Sequence, residues 1–218
     1  DSASSTMPVV MLALTKLAEG SEANRAAIAE AGGFSMLAPL LRVGDDAGAM
    51  EAIQLLSNLI EEDVELQTKA IEVGLLAPLV SLARDGLSAT SSDASFAKAM
   101  LAVGELGKLA TNHQAAIVEA RAIELFVLML QPENGLAGRL NLAKGRRPWA
   151  MILAIIAKHD GSADAASQAA VAQAGGIGPL VQMARDGTDE ELFAATVALE
   201  NIATNNEANQ MAVAEAGG

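Results

Sequence analysis

The sequence predicts an all-α protein built as a solenoid of stacked helical repeats. Three observations predict it: a composition rich in alanine and poor in aromatics, a short motif that recurs at a solenoid interval, and apolar residues spaced three and four apart between the recurrences. The chain has 218 residues with 46 alanines, four phenylalanines, one tryptophan and no tyrosine. Its core must therefore be assembled from small aliphatic side chains, and that much alanine favours helix over strand. Hydrophobic residues make up 51% and charged residues 19%, the reverse of a chain too polar to fold.

The motif is AIAEAGG at 27–33, which recurs as AIEVGLL (70–76), AIVEARA (116–122), AVAQAGG (170–176) and AVAEAGG (212–218). With Glu30, Glu72, Glu119, Gln173 and Glu215 taken as equivalent, the intervals are 42, 47, 54 and 42 residues, the period of helical solenoids. Each unit parses into three helices. A short amphipathic one, such as Asn24 to Ala31, ends at a glycine able to take the left-handed conformation. A second, at 75–86 and 176–187, carries Pro78 and Pro179 in its first turn, where a missing N–H costs nothing, and closes with Asp-Gly. The third and longest spans 51–60, 97–110, 149–157 and 192–203, with apolar residues at helical spacing. No unit buries its apolar side alone, so neighbours must stack.

This pattern resembles the armadillo repeat, whose signature reads roughly EAGGI-P-LV-LL-G followed by a long helix ending in A-L-N-LA. The resemblance covers nearly the whole chain and implies a right-handed superhelical α-solenoid forming a single armadillo domain over 1–218. Its parts are a cut third helix at 7–19, full repeats at 20–61, 62–110, 111–157 and 158–203, and the opening of another repeat at 204–218. A HEAT-like α-α superhelix, with two helices per unit, is the nearest alternative, and the separate glycine-ended short helix favours armadillo. The Asp1 start and EAGG end read as an excised piece of a larger protein.

Two repeats are longer than the others. Glu30 to Ile60 and Gln173 to Ala203 are each 30 residues, whereas Glu72 to Ala110 and Glu119 to Ala157 are each 38. The extra residues fall between second and third helices, around 87–94 and 132–148. They read either as tolerated surface insertions or as a binding lobe. The second insertion gathers Arg139, Lys144, Arg146 and Arg147 between Pro132 and Pro148. Such a cluster suits a carboxylate-rich or phosphorylated partner, or docks on the protein's own acidic surface; the plainer alternative is a solvated loop.

Importin- and catenin-type armadillo proteins hold extended peptides on a concave surface lined by third helices, and the resemblance carries that groove over residue by residue. The position of the peptide-binding Asn falls on Lys16, Asn58, Lys108, Ile155 and Asn201, and that of the Trp on Leu12, Gln54, Gly104, Met151 and Val197. With two asparagines and no tryptophan, this is not an importin-like receptor for nuclear signals. The other groove positions are largely apolar, Met50, Met100 and Phe193 among them, so the expected ligand is an apolar or amphipathic segment of a partner protein. The alternative is that several of these side chains pack against neighbouring repeats. Gly104 and Gly107, inside a helix at about 1 kcal/mol each relative to alanine, suggest close packing, a bend or room for a ligand, with close packing favoured. Pro39 sits later in its unit than Pro78 and predicts a kink.

Other functions are disfavoured. A net charge of −13 argues against a nucleic-acid binder held by phosphate contacts. The absence of cysteine removes disulfides, thiolate nucleophiles and cysteine-bound zinc. His113 and His159, each just after a third helix, read as helix-end caps. HDGSAD (159–164) lacks the spaced ligands of a calcium loop and reads as a solvated turn. The Gly-Gly pairs recur with the repeat and are caps, not phosphate loops. The acidic groups Asp45-Asp46 and Glu61-Glu62-Asp63 fall near helix starts. The longest uncharged stretch, Ala165 to Ala184, is broken by glutamines, Gly175-Gly176 and Pro179, so no membrane span is expected. The reading is a non-enzymatic adaptor or scaffold, without cofactor or metal and in the cytoplasm or nucleus. A structural or self-associating segment of a larger solenoid, or an accessory substrate-binding domain, are the alternatives.

Overall fold

The computed structural model describes residues 2–43, 46–87, 91–131, 145–159 and 162–218. Its helices are α1 (Ser2–Ala18), α2 (Glu22–Glu30), α3 (Gly33–Val43), α4 (Asp46–Leu59), α5 (Val64–Glu72), α6 (Leu76–Gly86), α7 (Asp93–Ala110), α8 (Gln114–Glu119), α9 (Ile123–Leu128), α10 (Arg147–Ile156), α11 (Ala165–Gln173), α12 (Ile177–Asp186), α13 (Asp189–Ala203) and α14 (Glu207–Glu215). Each repeat from 20 to 203 thus holds three helices, and α1 and α14 occupy the flanking partial repeats. This is armadillo organisation and not the two-helix HEAT unit.

The chain divides into two compact units, Asp1–Leu106 and Gly107–Gly218. In the first, third helix α1 packs on third helix α4, α3 packs on α4 beneath it, and the second helices α3 and α6 meet. The core is aliphatic: Leu37, Ile53, Leu55, Leu56, Leu59 and Leu79 are at most 1% exposed. In the second unit α10 packs on α13, α12 on α13, and α9 on α10. Phe126 and Trp149 stack there with centroids 6.4 Å apart.

The repeat's punctuation follows from backbone chemistry. Helices α2, α5, α11 and α14 begin at Ser21, Asp63, Asp164 and Asn206, whose side chains accept from backbone N–H groups three residues on, satisfying donors the helix leaves orphaned. The same helices end before Gly32, Gly74, Gly175 and Gly217, all at positive φ between 79° and 89°, as expected for the recurring glycine. Pro78 and Pro179 are each the third residue of their helix, in the first turn. At the end of α6, a Cβ on Gly86 would lie 2.3 Å from the Ser95 carbonyl oxygen, so Asp-Gly closes that helix because nothing larger fits under α7.

Several expectations need correction. The third repeat replaces the left-handed glycine with Arg121 at φ 57°, and its first helix, α8, has six residues where the others have nine. His113 is no C-terminal cap. It holds the N-cap position of α8 without a side-chain capping bond, its Nε2 is buried with no hydrogen-bond partner, and burial pushes its pKa below the usual imidazole range. The residue equivalent to His113 in the next repeat is Asp164, not His159. The segment around His159 is an antiparallel pair of two-residue strands, β1 (Lys158–His159) and β2 (Ser162–Ala163), where a plain turn is expected. Close packing holds for Gly107, whose added Cβ would sit 2.7 Å from Ile152 Cδ1, but not for Gly104, which has open space around it. Pro39 lies inside α3. The insertion residues 88–90 and 132–144, together with Asp45, lie outside the described residues. No single helix among the described residues is long and apolar enough to cross a membrane.

Candidate functional site

The third helices position most of the groove residues, and their local chemistry determines which side chains remain available. Near the C-terminal end of α1 the Thr15 carbonyl accepts from Asn58 Nδ2 at 3.2 Å. Near that of α10 the Ala154 carbonyl accepts from Asn201 Nδ2 at 2.9 Å. These are the same contact in two repeats: an asparagine on one third helix donates to a last-turn carbonyl of the third helix before it, and the Thr15 carbonyl also accepts from the Glu19 N–H at 3.2 Å. Asn201 is only 5% exposed. Asn58 is half-buried, and its Oδ1 also accepts from Gln54 Nε2 at 3.2 Å. Both amide donors therefore already join adjacent repeats.

The same device recurs beside it. Asn24 donates to the Leu17 carbonyl at 2.8 Å, Gln67 to Ile60 at 3.2 Å and Asn209 to Ile202 at 2.9 Å, each reaching back seven residues from a first helix to the end of the preceding third helix. Gln168 bridges the Asn201 and Thr204 carbonyls at 2.7 and 3.0 Å. These amides are absent from the sequence-based site. Their spacing is the signal that was available, since each lies just inside a first helix.

In the second unit Met151, Ile155, Val197 and Asn201 come together. With Ala154, Gln114 and Lys158 they line a shallow hollow of about 250 Å³ between α10 and α13. Its floor is apolar, and Lys158 and Gln114 supply polar groups. Gln114 and Lys158 were missed because they follow a third helix instead of lying within one. In the first unit Gln54 and Asn58 are hydrogen-bonded to each other. Lys16 is exposed and pairs with Glu19 at 2.9 Å. Met50 and Met100 are half-buried, and Gln54 and Lys108 are exposed. Leu12 is 60% and Phe193 62% exposed.

The basic cluster falls partly within the described residues. Arg139 and Lys144 lie outside the described residues. Arg146 is committed to the chain itself. Its backbone N–H and Nε donate to Glu191 Oε1 at 2.9 and 3.1 Å, and a terminal guanidinium nitrogen donates to Oε2 at 3.0 Å. Both side chains are largely buried, at 15% and 12% exposed. Glu191 also closes the start of α13, accepting from the Thr188 N–H at 3.2 Å while its own N–H donates to Thr188 Oγ1 at 3.3 Å. The Arg146 guanidinium holds the Glu191 carboxyl down at a pKa of about 2 against the opposing effect of burial, helped by the two backbone donors. Arg147 lies 3.9 Å from Glu190 in an exposed pair. Docking on the protein's own acidic surface is thus what Arg146 and Arg147 do. The Thr-x-x-Glu capping box at 188–191 was the legible half of this contact.

No family model matches the sequence. No curated protein matches it either. Among solved structures, a designed armadillo repeat protein is 23% identical with a TM-score of 0.69, over 96% of this chain and 81% of that one. A computationally designed armadillo repeat protein for modular peptide recognition is 25% identical with a TM-score of 0.71, over 95% and 80%. An armadillo-repeats-only protein from Plasmodium falciparum is 18% identical with a TM-score of 0.73, over 89% and 79%. With three helices per repeat, a left-handed turn after each first helix, and this likeness along nearly its whole length, the chain has the armadillo-repeat fold.

Proposed function

We propose that this protein is a non-catalytic adaptor that holds a segment of a partner protein on the surface of its third helices. The observation that carries the reading is the hollow formed by Met151, Ile155, Val197 and Asn201. It is apolar at the floor and open to an incoming chain, the form of site that accepts side chains of a docked segment. Designs of the same fold made for peptide recognition support the general mode. Because Asn58 and Asn201 already donate to neighbouring helices, ligand affinity rests here on apolar contact more than on asparagine bonds to a peptide backbone. An apolar or amphipathic segment is the expected ligand.

The test is a peptide array probed with the intact protein and with Met151→Glu and Ile155→Glu variants. The expected outcome is peptides whose affinity falls about tenfold or more in both variants, while Lys16→Ala leaves it unchanged. Peptides bound equally by all forms would reject the α10–α13 surface as the site.

A further inference from the structure

The polar groups that line the hollow between α10 and α13 differ in what they already hold. Gln114 Nε2 donates to the Thr111 carbonyl at 3.0 Å, and Asn201 Nδ2 donates to the Ala154 carbonyl at 2.9 Å. Lys158, also in the lining, is half-buried and has no ion pair among the described residues. In the same unit Arg121, Arg146 and Arg147 each pair with a carboxylate, and Arg185 donates to the Gly217 carbonyl. Partial burial of an ammonium group costs free energy that a bound carboxylate returns.

The Arg146–Glu191 and Ala154–Asn201 contacts join α10 to α13 start to start and end to end. The two helices therefore run parallel, and the hollow is a short trough along them. Met151 and Ile155 are four residues apart on α10, and Lys158 follows three residues on, which spreads the three over roughly 10 Å. The trough does not owe its opening to an end of the chain. Val197 lines it, and the equivalent Gln54 is exposed although a further third helix, α7, follows it. An extended segment laid here needs partners for its own N–H and C=O groups, and both amide nitrogens of the lining are already bonded to carbonyls. A helix satisfies those groups internally and presents side chains three and four residues apart, the spacing of Met151 and Ile155.

We infer that the ligand of this hollow is an amphipathic helix that carries an aspartate or glutamate one turn beyond its apolar pair, with the carboxylate seated on the Lys158 ammonium. The inference rests on the α10–α13 surface being the binding site, and adds the ligand's conformation and its anionic anchor. The net charge of −13 opposes a ligand that is acidic throughout. At physiological salt exposed charges are screened beyond about 8 Å, so a single carboxylate at this place is governed by the ammonium beside it.

The test is fluorescence anisotropy of the intact protein with a library of synthetic peptides of about 15 residues. Each has leucines at three- and four-residue spacing, Glu, Gln or Lys one turn past the last leucine, and varied residues elsewhere. Peptides weakened by both uncharged variants, Met151→Gln and Ile155→Asn, are those bound in the hollow. Among them Glu is expected to bind about fivefold or more tightly than Lys, with Gln between, and Lys158→Glu to reverse the order. A central proline, which breaks the helix, is expected to cost about tenfold or more. Hollow-bound peptides that ignore the Glu, Gln or Lys choice, or that bind as tightly with the proline, overturn the inference and leave the hollow as the site. A library in which no peptide binds, or none responds to Met151→Gln and Ile155→Asn, overturns both. If Lys158→Glu fails to fold, the comparison of Glu, Gln and Lys peptides on the unsubstituted protein decides the anchor alone.

Discussion

Arg146 and Glu191, 45 residues apart in sequence, form a two-pronged ion pair that also draws in the Arg146 backbone N–H. The contact ties the chain just before α10 to the first turn of α13, so one carboxylate caps a helix and anchors the end of a long insertion. Arg146 precedes Pro148 in the first turn of α10, and the pair fixes where that helix starts against its neighbour.

This pair sets a pH dependence. The Glu191 pKa is lowered from 4.5 to about 2, so its contribution to stability is complete above pH 4.5 and is lost as pH falls toward 2. That contribution is at most about 3 kcal/mol. Glu191→Gln is expected to lower stability at neutral pH by about 2 to 3 kcal/mol and to flatten the acid limb between pH 4.5 and 2, as read by urea denaturation at a series of pH values.

Arg121 occupies a left-handed position at φ 57° that four other repeats give to glycine. Arg121→Gly is expected to raise stability by about 0.5 to 1 kcal/mol. Its exposed ion pair with Glu124 at 3.0 Å offsets little of that. Thermal denaturation showing a lower midpoint would contradict the assignment of strain to this turn.

The two helix-interior glycines should respond in opposite directions. Gly104→Ala places a methyl in open space and is expected to gain about 0.5 to 1 kcal/mol from helix propensity. Gly107→Val, aimed at Ile152 Cδ1, is expected to lose about 1 to 3 kcal/mol through overpacking. Chemical denaturation of the two variants separates them.

Asn201→Ala removes a buried donor and leaves the Ala154 carbonyl with one partner fewer, at an expected cost of about 1 to 2 kcal/mol. Asn58→Ala, at a half-buried site, is expected to cost about 1 kcal/mol or less. Unchanged unfolding midpoints in both variants would mean that the asparagines do not join repeats.

The helices were legible because their signals are local. Alanine content, the recurring EAGG and apolar spacing place α2, α6 and α12 within one or two residues of their observed ends, whereas α13 starts three residues before the expected 192. The errors arose where a position has a different partner in space. For Arg146 the sequence left a partner's acidic groups, the protein's own acidic surface and solvent all open, because Glu191 lies in the next repeat. His113 reads as a cap at the end of one helix, although its backbone already starts the next. Gly104 and Gly107 look alike in sequence, and only the position of Ile152 tells them apart. Asn58 and Asn201 suit a peptide ligand by position, but backbone carbonyls on adjacent helices already hold their amides.

The sequence by itself determined that the chain is helical, which segments are helices, and that its units repeat, because caps, glycine turns and apolar spacing act over a few residues; it placed the starts of α4, α7 and α13 three to five residues late. Only the tertiary structure decided which polar side chains are spent between repeats and which groove side chains come together. The contacts of Asn58, Asn201 and Arg146 depend on groups more than forty residues apart being brought within hydrogen-bonding distance, and no local pattern records that distance.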